Sequence, residues 1–235
     1  MTTAVHGIPV ILLVHGAWHG AWCWEKLVPE LTATGWHVIT VDLPSASADP
    51  DNPAGMYDDA RVIRACLDGI DGRVTVLAHS YGGVPATEAA AGATNVDRIV
   101  YLSAFQVDEG ESIAGLSGGQ IPSSVIGTLP VPAEPSKHLY SGAAAEDADR
   151  AAERLVPQTV KSFSEPLTSV AWKTVPSSYI ICEQDEILPP AFQEGMSARS
   201  GRSHRLSCGH SPLPVHPCRT GRVDHHRRRP LRRVA

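Results

Sequence analysis

Apolar residues along this chain fall into short, nearly unbroken runs separated by stretches with helical spacing. The runs are PVILLVH (9–15), HVITVDL (37–43), RVTVLA (73–78), DRIVYLSA (97–104), SSYIICE (177–183) and SHRLSC (203–208). Their length and β-branched content predict strands, and a run that is apolar throughout predicts a strand buried on both faces. Between them, AWCWEKLVPELTATG (21–35), MYDDARVIRACLDGI (56–70), GVPATEAAAGA (83–93) and PAFQEGMSARS (190–200) repeat apolar positions at helical spacing. Strands alternating with helices predict an α/β fold: a mostly parallel sheet covered by helices on both faces.

One region breaks the rhythm. Residues 106–172 are rich in Gly, Ser, Pro and Ala and contain one good helical piece, AAEDADRAAERLV (144–156). An insertion of this kind between strands of a regular sheet reads as a short lid over the strand ends. At 235 residues the chain suffices for one domain with a full core and would be cramped as two. No run approaches the ~20 apolar residues needed to span a membrane. IPVILLV, with no basic segment before it, reads as a strand and not as a signal peptide. Five cysteines with no C-x-x-C spacing favour reduced thiols in a cytoplasm and leave no disulfide frame and no metal site.

Chemistry concentrates at VTVLAHSYGG (74–83). Ser80 stands where a buried strand hands over to a helix, a place where a sharp turn projects a hydroxyl above the sheet. Such a turn needs small residues two before and two after, here Ala78 and Gly82. The helix behind it directs its free N–H groups, led by that of Tyr81, at an oxyanion. The plain alternative is a serine that caps the helix. A nucleophilic serine needs a base and an orienting acid. His210, in LSCGHSP, and Asp185, in CEQDEILPP, each follow their own strand and so share the sheet edge of Ser80. A second N–H donor is expected from VHGAWHGAW (14–22), where Gly16 permits close approach and Ala17 is the candidate donor. Asp108, Glu183 and Glu186 compete for the acid. His79 reads as structural, because neighbours on a tight turn point apart. His204 falls inside a strand, and His216 falls in the C-terminal tail.

Together, LVHGAWHGAWCWEKLVPELTATGWHVITVDLPS, LAHSYGG, IVYLSAF, C-x-x-D-x-x-x-P-P and GHSP resemble the small α/β-hydrolases related to plant methyl esterases and hydroxynitrile lyases, and above all their bacterial carboxylesterase relatives. The resemblance implies an α/β-hydrolase fold and a Ser80–Asp185–His210 triad, with no cofactor. It also implies oxyanion donors at Ala17 and Tyr81. Ala78 departs from the usual glycine. The lyases carry a threonine after the first loop's histidine and a lysine after the catalytic histidine. Gly16 and Ser211 stand there in this chain, which favours hydrolysis of small to medium esters by a serine carboxylesterase. Cyanohydrin cleavage and a non-catalytic ligand-binding protein of the same fold are the alternatives. The expected partner is a small-molecule ester, with no nucleic acid and no membrane; a homodimer stays open.

The hydrolase domain is expected over 1–212. Residues 213–235 differ in character: RTGRVDHHRRRPLRRVA (219–235) holds seven arginines and one aspartate in a chain of net charge −5. Prolines at 214, 217 and 230 interrupt any helix, where the family continues with a phenylalanine and a packing helix. A disordered extension and a polyanion-binding arm are two readings. The favoured one is a reading-frame shift in GC-rich DNA just after Pro212, because HHRRR, read as the codons CAC CAC CGC CGC CGC, becomes a helix-compatible TTAAA one frame away. This expectation leaves 213–235 without a packed helix and part of the sheet uncovered.

Overall fold

Every residue of β1 (Val10–Val14) is buried, as an apolar strand in the middle of a doubly covered sheet must be. Val10, Leu12 and Val14 enter one core, while Ile11 and Leu13 enter another on the opposite face, following the two-residue period of a strand. The computed structural model describes residues 7–116, 118, 126–212 and 220–224. After β1 come α1 (Leu27–Ala33), β2 (His37–Val41), α2 (Met56–Asp68), β3 (Val74–His79), α3 (Gly83–Ala90) and β4 (Val96–Leu102). An insertion follows, with α4 (Ile113–Leu116), β5 (Thr128–Leu129), α5 (Pro135–His138), α6 (Ala145–Ala152), β6 (Gln158–Thr159) and α7 (Val160–Ser164). The chain then returns through β7 (Ser177–Cys182), α8 (Pro190–Ser197), β8 (Arg202–Leu206) and β9 (Thr220–Asp224).

The main sheet runs β2-β1-β3-β4-β7-β8-β9. Its first six strands are mutually parallel, and β9 pairs antiparallel with β8. The chain steps from β1 out to β2 and back across to β3, so the crevice between the carboxyl ends of β1 and β3 is the topological switch point where α/β sheets place their sites. The expected strands and helices form close to their predicted bounds. The 21–35 segment divides into a 3-10 turn, Ala21–Trp24, and α1. Pro29 lies at a permitted position in the first turn of α1.

The two cores are covered unequally. The larger one takes side chains from α2, α3 and α8, including Met56, Ile63, Val84 and Met196. Among the described residues the other takes helical side chains only from α1 and the turn before it, and Leu77, Ile180 and Leu206 on that face are only partly buried. Of the tail, Thr220–Asp224 forms the edge strand β9, which sequence periodicity did not suggest. The expectation of an unpacked 213–219 and 225–235, His216 included, lies outside the described residues.

Candidate active site

The chain leaves β3 at Ser80 with φ 52°. That is left-handed backbone, which a serine keeps only where its surroundings impose it. A 3-10 turn over Ser80–Gly82 runs straight into α3. The register pairs Val14 with Ala78, which lays the loop after β1 against this turn. A β-carbon on Gly82 would lie 2.3 Å from the His15 carbonyl oxygen, and one on Gly16 would lie 2.9 Å from Ser80 Cβ. Close approach therefore restricts both positions to glycine. Ala78, wholly buried, has room for its methyl group.

Ser80 Oγ lies 2.9 Å from His210 Nε2, and His210 Nδ1 lies 2.7 Å from Asp185 Oδ2. The three side chains come from loops after β3, β8 and β7, and all are buried. The Asp185 carboxylate also accepts the N–H groups of Ile187 and Leu188 at 2.8 Å each, the Gln193 amide at 3.0 Å and the Ser103 hydroxyl. Burial by itself would raise this carboxyl. The hydrogen bond and charge of His210 and the Ser103 hydroxyl outweigh burial and hold Asp185 below its usual 3.8. In the uncharged form of the His210 ring, an ionised carboxylate there holds the proton on Nδ1 and leaves Nε2 bare toward Ser80. A hydroxyl placed so can lose its proton to the imidazole and act as a nucleophile.

The other buried histidines are held neutral. Desolvation pushes His79 well below its ordinary value, and a proton on the neighbouring His210 or His19 would push it the same way. Its Nε2–H donates to the His210 carbonyl at 3.0 Å, so His79 steadies the loop that carries His210. Burial lowers His19 to about 3; its Nδ1–H donates to Ala17 O at 2.7 Å, and Nε2 accepts from Tyr140 at 2.9 Å. His15 Nε2 accepts the Leu43 N–H at 3.0 Å. Of the competing acids, Asp108 pairs with Lys173, while Glu183 and Glu186 are exposed. His204 lies within β8.

Two contributors escaped sequence reading. Ser103, at φ 43°, follows β4 and lies 3.2 Å from His210 Nδ1 as well as bonding Asp185. Its signal was its place, one residue past a strand end on the same sheet edge. Gln193, on α8, accepts the Cys182 N–H at 2.9 Å and donates to Leu188 O at 2.6 Å. It thereby clamps the loop that carries Asp185. No local feature marks that glutamine.

A model of the alpha/beta hydrolase family matches residues 11–220. The α/β hydrolase NvfD of Aspergillus novofumigatus is 30% identical, over 89% of this chain and 92% of its own. Methylesterase 7 of Arabidopsis thaliana is 29% identical, over 79% and 82%. Among solved structures, the methylesterase MES16 from Arabidopsis superposes with a TM-score of 0.74 at 26% identity, covering 89% of this chain and 94% of that one. The chain belongs to the α/β-hydrolase family, in its methylesterase-related branch, and ester hydrolysis is the activity this kinship supports.

Proposed function

We propose that the chain is a serine carboxylesterase acting through an acyl-enzyme. The observation that carries the reading is the continuous buried line from Ser80 Oγ through His210 to Asp185. Ser80 Oγ attacks the ester carbonyl carbon as His210 Nε2 takes its proton, and Asp185 offsets the charge on the imidazolium. The carbonyl oxygen becomes an oxyanion facing the N–H groups of Ala17 and Tyr81. The Tyr81 N–H lies at the start of the turn leading into α3, where N–H groups lack partners within the helix. His210 then gives its proton to the leaving alcohol as the C–O bond breaks. Water, deprotonated by His210, attacks the acyl-enzyme, and Ser80 regains its proton as the acid departs.

Hydrolysis is favoured over cyanohydrin cleavage by Gly16 in particular. A β-carbon there would stand 2.8 Å from His79 Nδ1 and 2.9 Å from Ser80 Cβ, so the lyases' threonine has no space. Ser211, where the lyases place a lysine, supplies no cation. The 106–172 insertion acts as a lid with many small residues, which suits short or medium acyl groups. Ser80→Ala tests the reading on p-nitrophenyl acetate. The expected result is a kcat lower by about 10³-fold or more; a rate equal to that of the parent would overturn it.

A further inference from the structure

A second buried polar cluster joins the insertion to the turn at Ser80. Gln158, on β6, is fully buried. Its Oε1 accepts the Trp18 N–H at 3.3 Å, and its Nε2 donates to Ser45 Oγ at 2.6 Å and to Ser162 Oγ at 2.8 Å. Ser45 in turn bonds Asp59, through its N–H at 2.9 Å and through its hydroxyl. Asp59 also accepts the Tyr81 hydroxyl, at 2.5 Å. Ser45, Asp59 and Tyr81 are all buried.

Both ends of this chain of bonds adjoin an oxyanion donor. Trp18 follows Ala17 and holds φ 65°, strained backbone that persists only when neighbours impose it. Its carbonyl accepts the Val156 N–H at 2.9 Å, so the insertion grips Trp18 at both its N–H and its C=O. Tyr81 is fixed by Asp59 at its hydroxyl and by Phe163 at its ring, which stacks 5.5 Å away at 5°. We propose that Gln158 is a positioning residue: it sets the Ala17 N–H through the Trp18 peptide and the Tyr81 N–H through Ser45 and Asp59. The inference rests on the esterase reading above and adds that the insertion supplies the part that aligns the oxyanion donors.

Gln158→Met keeps the length of the side chain and removes its hydrogen bonds, and Tyr81→Phe removes only the far anchor. Each variant and the double variant are assayed on p-nitrophenyl acetate, with rates expressed per site titrated by the burst of p-nitrophenol. A trifluoromethyl ketone, whose serine adduct carries an oxyanion, serves as inhibitor. Loss of one oxyanion donor costs ~10²–10³ in kcat, and misalignment a part of that, so each single variant should lose about tenfold. KM should change less than about twofold, and the ketone's Ki should weaken by about the same factor as kcat. The double variant should lose less than the product of the two singles, because both act on one network. An unchanged kcat per site with only a lower melting temperature overturns the proposal, as does a fall in kcat with the ketone Ki unmoved. Ser80→Ala separates the two readings. If it is inactive while Gln158→Met is normal, only the positioning role fails; if it keeps the parental rate, both fail.

Discussion

Among the described residues Asp59 has no cation as a hydrogen-bond partner, and its titration follows from that. Burial pushes its carboxyl up to about 6 from 3.8; the bonds from Ser45 and Tyr81 pull it down less strongly, and Asp58 nearby adds to the rise. The folded chain therefore holds this proton more tightly than the unfolded one. Stability from this site is full below about pH 4 and declines as pH rises through about 6, by about 3 kcal/mol at most. Asp59→Asn can keep the contacts, with its amide donating to the two hydroxyls, and it does not titrate. Melting temperatures of parent and variant should thus shift in the parent's favour between pH 7 and pH 5, and a gap that is the same at both pH values would contradict this account. At this scale Ser80, Asp185 and His210 were legible because each follows its own strand on one sheet edge. Ser103, Gln193, Gln158 and Asp59 were not, because each acts through a partner that only folding brings close; Ser103 bonds a carboxylate 82 residues away.

Among elements, the six parallel strands were legible because all but β2 lie in the sheet's interior, where apolar runs are favoured. The two-residue strands β5 and β6 carry no period to read. β9 sits in a basic tail whose pairing with β8 comes from backbone bonding at an edge, which asks little of side-chain pattern. The face of Leu77, Ile180 and Leu206, covered among the described helical segments only by α1 and the 3-10 turn before it, bears on the frame-shift reading of 213–235. A chain carrying the other reading frame after Pro212 should place an apolar helix there. It should melt higher, by about 5 °C or more, and bind less of an apolar dye such as anilinonaphthalene sulfonate. Equal melting and equal dye binding would remove the case for a shifted frame.

For the whole molecule, the parallel order places the loops after β1, β3, β4, β7 and β8 on one edge, and the insertion joins them there through Gln158 and Tyr140. That convergence brings a hydroxyl at one strand end, an imidazole at another and a carboxylate at a third within hydrogen-bonding reach. The proposed esterase mechanism requires that Ser80, and no other serine, be activated. Reaction of the folded protein with a fluorophosphonate, followed by peptide mass mapping, addresses this most directly, because only an activated serine is phosphonylated at an appreciable rate. One label per chain is expected, on the peptide containing Ser80, absent from Ser80→Ala and greatly slowed in His210→Ala. A folded parent that takes no label, or one labelled on a different serine, would contradict it.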